Sequence, residues 1–504
     1  MTEETAIIDN LGQEGPERTF LGHPRGLFVL FMAEMWERFC YYGMRVLLTL
    51  YLIEELLIGN TESFAIYGAY TALVYAAPVL GGRIADRLLG YRLAVILGGV
   101  LMAIGEFLIL GGTESWLYVG MGTIIVGNGY FKANISSIVG RLYRDDDPKK
   151  DSGFTIFYIG INIGALLATT LVAEVGNIYG YKWGFALAGI GMIAGLLFFL
   201  GGQKEIRHHA EPPRPEKLKE KAFGPVNWFQ ATVVGSLMII PILYLLIDHN
   251  AVVGYLLGAV AIYVLYSLLS TAFSSDKVQR DRILILIILM LFNVVFWAFF
   301  EQAGTSLTVF AKDNVDRMIG GWEMGAATTQ FFNPFFILIL GSIFSWMWVR
   351  LDKAGMNPNI PTKFGLGLVF LGLGYLMVKV GGGFSEAGLV PLWTLTFLYL
   401  LHTTGELFIS PIGLSMVTKL VPKTMTGTVM GAWFLTFAGA NFLAGQIAQL
   451  TGEVETGAEG VPNPEESLSI YTEVFSNIGF ASVGTGLFLI LAAVWLKRLL
   501  HGVK

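Results

Sequence analysis

Four ionisable side chains, Glu34, Glu37, Arg38 and Arg45, interrupt an apolar run: "AEMWERFCYYGMR" lies between "GLFVLFM" and "VLLTLYLI". A charge at mid-bilayer costs about 2.5–3.5 kcal/mol on insertion scales, so it persists only where a partner or a water-filled cavity receives it. Glu34, Arg38, Tyr42 and Arg45 follow one another at steps of four, four and three residues. That spacing lays them along one stripe of a helix, with Glu37 and Tyr41 beside it. Glu34 and Arg38 could simply neutralise each other at i,i+4 and steady the packing. Four charges exceed what packing requires, so the stripe is read as facing a cavity.

The remaining embedded polar groups are few. Lys132 stands in "GNGYFKANIS", Glu301 in "NVVFWAFFEQAGTSL" and Glu406 in "LYLLHTTGELFISP". Tyr158 and Asn162 stand in "FYIGINIGAL", and Asn333 in "QFFNPFF". Both halves of the chain supply acids, whereas the cations Arg38, Arg45 and Lys132 all come from the first. A cavity between the halves would set a cationic wall opposite an acidic one. Such a cavity suits a small zwitterion, its carboxylate toward the bases and its amine toward an acid. Acids held away from bulk water can exchange protons in the physiological range, which makes a proton the natural co-substrate. Glu106, in "AIGEFLIL", has no assignment. His402 reads as a core histidine four residues before Glu406, Asp248–His249 as a solvated hairpin tip, and "EPPRPEKLKEK" as a charged linker rather than a binding motif.

The elements that must position these groups follow from composition. The 504 residues are 54% hydrophobic and 14% charged, against about 25% charged in soluble domains; mean hydropathy is +0.62. Runs of about 20 apolar residues match the hydrocarbon thickness of a bilayer. They predict an all-α polytopic membrane protein with fourteen spans: 25–53, 63–86, 92–112, 116–140, 154–175, 183–201, 227–247, 252–273, 283–311, 325–349, 364–382, 391–420, 427–450 and 473–498. The 62 glycines fit close helix approach. The division expected is a tail (1–24), a six-helix bundle (25–202), a linker with two extra spans (203–282), and a second six-helix bundle with a short tail (283–504). Six plus six suggests internal duplication. Lys and Arg concentrate in alternate loops, so both termini are expected in the cytoplasm and the chain in the inner or plasma membrane. The first 24 residues lack the pattern of a signal peptide, leaving the first span as the insertion signal. Cys40 is the only cysteine, which excludes an intrachain disulfide.

The loop "GGRIADRLLGYR" resembles the loop motif of the major facilitator superfamily. Glu34, Glu37, Arg38, Phe39 and Tyr42, together with "FYIGINIGAL", resemble the signatures of one branch, the proton-dependent oligopeptide transporter family, along essentially the whole chain. The resemblance implies a major facilitator fold and a proton-coupling cluster of Glu34, Glu37 and Arg38, joined by Glu301. Arg45 would meet the peptide carboxylate and pair with Glu301. Lys132 would join the carboxylate side and pair with Glu406 or the acids of the first span. Glu406, Asn162 and Asn333 would hold the peptide amine. Tyr42, Tyr75, Tyr158, Trp297, Phe300, Ser410 and Trp433 would line the pocket, aromatics offering apolar area with few rotors.

The function expected is inward symport of di- or tripeptides with protons by alternating access, in a functional monomer, with no cofactor beyond the proton and no nucleic-acid partner. A proton-coupled carrier of nitrate or a secondary metabolite, and a non-transporting receptor on the same fold, stay open. An enzyme is not expected: no nucleophile–base pair, metal-ligand cluster or phosphate loop is legible.

Overall fold

The computed structural model describes residues 19–144, 147–421, 426–452 and 463–502. Most of the expected N-terminal tail, parts of three loops (145–146, 422–425 and 453–462) and the last two residues therefore lie outside the described residues.

Every apolar segment read from the sequence falls on a helix. The first six are α1 (Arg25–Leu50), α2 (Asn60–Ile84), α3 (Gly90–Ile109), α4 (Glu114–Arg141), α5 (Lys150–Leu167) and α6 (Tyr181–Gly201). Single π-helical turns extend α1 through Glu55, α2 through Leu89 and α5 through Val172, and α5 then continues as Ala173–Tyr179. Two helices follow, α7 (Trp228–Asp248) and α8 (Asn250–Ser274). The last six are α9 (Lys277–Phe300), α10 (Phe332–Lys353), α11 (Ile360–Gly382), α12 (Trp393–Leu420), α13 (Thr426–Ala448) and α14 (Pro464–Leu499).

Nine helical segments among the described residues are long and apolar enough, by length and composition alone, to cross a membrane. The helix α1 is not one of them, because its own charges leave it no clean apolar window.

Several boundaries differ from the reading of periodicity, and side-chain caps explain two of them. Asp276 accepts the Gln279 backbone N–H at 2.9 Å and starts α9 six residues earlier than the apolar run. Asn463 caps Glu465 at 3.1 Å, with Pro464 in the first turn, so α14 begins in what reads as a loop. The segment read as one span over 283–311 breaks after Phe300 into a 3₁₀ turn, Glu301–Gly304, and a short helix, Ser306–Asn314.

The two sets of six share one packing scheme. In the first, α3 packs on α4 and α6, and α1 on α5 and α6; in the second, α11 packs on α12 and α14, and α9 on α13 and α14. The halves meet along α2 with α13 and along α5 with α10. Glycines set the closest approach: a Cβ on Gly68 of α2 would lie 2.9 Å from the Gly445 Cα of α13. The helices α7 and α8 pack beside this seam, α7 on α4 and α8 on α9 and α13. Tyr130 and Ser236 join α4 to α7 at 2.8 Å.

Candidate functional site

A cavity of about 310 Å³ lies between the halves, within the range of small-ligand sites. The α1 residues on its wall are Glu34, Arg38, Tyr42 and Arg45, the stripe that the spacing of four, four and three marks out. Glu37 and Tyr41 are fully buried behind it.

The α1 charges form a buried cluster. The Arg38 Nε donates to Glu34 Oε1 at 2.8 Å and lies 2.7 Å from Glu37 Oε2. Glu37 also accepts from Asn128 Nδ2 of α4 at 3.0 Å. One guanidinium thus serves two carboxylates, one on the cavity and one beneath it. The glycines of "FYIGINIGAL" make room for this arrangement. A Cβ on Gly164 would stand 2.1 Å from the Met35 carbonyl oxygen and 2.9 Å from the Arg38 Cβ. The same α5 segment turns Tyr158 and Asn162 to the cavity, where Asn162 donates to the Tyr158 carbonyl at 2.9 Å.

Arg45 crosses between the halves. It donates to Glu301 and to the Tyr67 hydroxyl, and all three side chains are buried. The break after α9 carries Glu301 to this position. Gly304 is required there, since a Cβ would collide with the Tyr67 hydroxyl, and Thr49 Oγ1 donates to the Gly304 carbonyl at 2.5 Å.

The pair expected between Lys132 and Glu406 is not formed. Lys132 has no acid within ion-pair distance among the described residues; its Nζ lies 3.9 Å from the centre of the Tyr75 ring, a cation–π contact. Nor does it pair with the α1 acids, which Arg38 already occupies. Glu406 accepts from Asn333 Nδ2 at 2.8 Å, and the same amide donates to Thr403 Oγ1 at 3.1 Å. The cavity separates these two walls, so an ammonium and a carboxylate face it without an opposite charge.

Tyr42, Tyr75, Trp297, Phe300 and Ser410 also stand on the wall. Trp433 does not. Its ring fills the gap beside Gly413 of α12, where a Cβ would lie 2.3 Å from Trp433 Cζ2. One turn later Phe437 takes the wall position, stacked on Tyr75 with ring centres 5.9 Å apart and 5.3 Å from Trp297. The sequence reading missed Phe437, Tyr399, Gln330 and the wall position of His402. Helical spacing is the signal that could have found them: Phe437 lies four residues after Trp433, Tyr399 and His402 lie seven and four before Glu406, and Gln330 lies three before Asn333. Glu106 is fully buried on α3, where Cys40 of α1 donates to it at 3.4 Å; its Oε2 has no partner among the described residues.

The end of the molecule away from the N-terminus is tied across the halves. Lys312 pairs with Glu54 at 2.7 Å. Glu174 accepts from the Gly325 N–H at 2.9 Å and from Thr328 Oγ1 at 2.6 Å. These ties close the cavity at that end. Toward the N-terminal end, α5 is exposed on adjoining faces: Phe154, Tyr158 and Ile159 are each more than a third accessible.

Comparison with known proteins agrees with this architecture. The POT family profile matches residues 92–462. The chain is 36% identical to the uncharacterized transporter YclF of Bacillus subtilis, covering 99% of this chain and 100% of the relative. It is 33% identical to dipeptide and tripeptide permease B of Xenorhabdus bovienii, over 95% of this chain and 96% of that one. A solved peptide transporter POT in complex with sulfate is 34% identical, with a TM-score of 0.81 over 98% of this chain and 99% of that chain. A POT family transporter in complex with a thioalcohol-conjugated peptide is 30% identical, with a TM-score of 0.80 over 96% and 99%. The fold is that of the major facilitator transporters, and the chain belongs to the POT family.

Proposed function

We propose that this chain is a proton-coupled symporter that imports di- and tripeptides by alternating access, as a monomer in the inner or plasma membrane with both termini cytoplasmic. The observation that carries the reading is the Lys132 ammonium and the Glu406 carboxylate, each on the cavity wall without an opposite charge. A peptide brings both missing partners, its carboxylate to Lys132 and its amine to Glu406 beside Asn333 and Asn162. An anion carrier would have no use for Glu406 there. The aromatic wall of Tyr42, Tyr75, Tyr158, Trp297 and Phe300 accepts varied side chains through apolar contact. Relatives carrying the name dipeptide and tripeptide permease support the substrate class.

The proton is the coupling ion. Protonation of Glu301 would release Arg45 for the peptide carboxylate; protonation within Glu34, Glu37 and Arg38 would change which acid Arg38 holds. Lys and Arg concentrate in the loops of the N-terminal end, which the positive-inside rule puts in the cytoplasm. The sealed end then faces outward and the cavity inward. The outward state requires the Arg45–Glu301 and Lys312–Glu54 ties to open while the halves rock together at the other end. Each charge moved down the membrane potential supplies about 2.3 kcal/mol per 100 mV.

Proteoliposomes with an inward proton gradient test the proposal. Labelled dialanine should accumulate above the level of protein-free vesicles, and equality with those vesicles overturns the peptide reading. Glu37→Gln should lose gradient-driven accumulation and keep peptide exchange across a neutral gradient. Loss of both would make Glu37 structural.

A further inference from the structure

We infer that the N-terminal end carries a binding site for the phosphate headgroup of an anionic phospholipid, built jointly by the α2–α3 turn and the linker. A concavity of about 340 Å³ is lined by Arg83, Ile84, Arg87, Leu88, Lys217 and Trp228. Three of the six are cations and none is an acid. Arg83 and Arg87 stand one turn apart on a continuous helix, where like charges at i,i+4 repel. Among the described residues no carboxylate lies within ion-pair distance of Arg83, Arg87 or Lys217. The acid between the two arginines, Asp86, is engaged elsewhere: it accepts from the Tyr91 hydroxyl at 2.8 Å. The site is thus a concentration of positive charge that the protein does not neutralise itself.

The linker is docked to complete this site. Gly90, with φ +68°, lets the linker backbone touch the turn; a Cβ there would lie 2.5 Å from Pro212 N. Arg92 pairs with Glu211 at 3.6 Å, and the buried Leu218 anchors the otherwise largely exposed short helix Pro215–Lys219. That helix delivers Lys217, whose Nζ lies 5.5 Å from the centre of the Trp228 ring. Trp228 is the first residue of α7, where the Asn227–Gln230 capping box starts the span. A tryptophan at the end of a span marks headgroup depth, and Ile84 and Leu88 supply apolar wall for the start of an acyl chain. Cations, interfacial tryptophan and apolar wall together match a phosphodiester attached to lipid. The stretch "EPPRPEKLKEK" is then more than a charged spacer.

The full chain, purified in detergent, tests this by thermal unfolding and by counting retained lipids in native mass spectrometry. The probes are dioctanoyl phosphatidylglycerol, dioctanoyl phosphatidylcholine and inorganic phosphate. Phosphatidylglycerol should raise Tm above either of the others and should be retained. Arg83→Gln with Arg87→Gln and Lys217→Gln should lose that difference, with affinity down on the order of a hundredfold for three cations. Arg350→Gln with Lys353→Gln, at a separate basic turn of the same end, should keep it. The inference is overturned if the triple variant retains phosphatidylglycerol as the parent does. It is also overturned if the Arg350/Lys353 variant loses as much, if phosphatidylcholine matches phosphatidylglycerol, or if inorganic phosphate alone reproduces the shift. Should the triple variant fail to fold, Lys217→Glu alone, which puts an acid on the rim, should weaken retention, and unchanged retention overturns the inference.

Discussion

The two walls of the central cavity manage charge differently. The first-half wall is largely self-sufficient: Arg38 pairs with both Glu34 and Glu37 within α1, Lys132 rests on an aromatic ring from the neighbouring α2, and only Arg45 reaches across. Among the described residues, the second-half wall has no lysine or arginine of its own. Glu301 depends on Arg45 from the opposite half, and Glu406 depends on a neutral amide. The first half can therefore hold Glu34, Glu37 and Arg38 in any relative position of the two halves, whereas Arg45 and the second-half acids need the opposite half, a proton or a substrate terminus. Coupling follows from that asymmetry, because moving the halves apart exposes acids that something else must then satisfy.

The largest expected effect comes from breaking the self-sufficient wall. Replacing Arg38 by Met leaves two buried acids without their cation, a loss of about 3–5 kcal/mol. Denaturant or thermal unfolding in detergent should register it together with loss of uptake. A stability change within error would mean that the first wall does not depend on its own cation.

Next comes the tie between the walls. Arg45→Gln and Glu301→Gln should each stop gradient-driven uptake. The double variant should be less destabilised than the sum of the two, with an interaction of about 1–3 kcal/mol in a double-mutant cycle. Strict additivity would separate the pair energetically.

A smaller effect is expected at the poles. Glu406→Gln replaces a charged hydrogen-bond partner by a neutral one, worth about 1.5–3 kcal/mol, and should raise the KM for dialanine roughly 10- to 100-fold. Inhibition by N-acetylated dialanine should not change, because that competitor has no amine charge to lose. The smallest effect is expected behind the wall: Trp433→Phe should leave the KM within about twofold, whereas Phe437→Ala, which opens the wall itself, should raise it by more. A reversed order would put Trp433 in contact with substrate. Such truncations cost about 3–5 kcal/mol when the ring is core, so unfolding is measured beside transport.

Much was legible before any coordinates. The period of Glu34, Arg38, Tyr42 and Arg45 placed those four on one face, and they share the cavity wall, because a helix of 3.6 residues per turn leaves no other arrangement for that spacing. The excess apolar length dictated membrane-spanning helices, since a bilayer admits few other ways to satisfy a backbone. The 62 glycines mark close helix approach without saying which helices meet.

Partner choice across the cavity was decided only in three dimensions. Sequence chemistry permits Lys132 to pair with Glu406 or with the acids of α1; the structure seats it on Tyr75, since the walls stand apart at that level and Arg38 holds the acids. The break that carries Glu301 to Arg45 was invisible in hydropathy, and only the fold sets Gly304 against Tyr67 of another helix, where a Cβ would not fit. Likewise Trp433 and Phe437 differ by one turn, and the backbone of α12 at Gly413 settles which of them reaches the cavity. The sequence by itself determined which side chains share a helix face, a consequence of local geometry. Only the tertiary structure determined which faces meet, because that depends on distances between helices far apart in the chain.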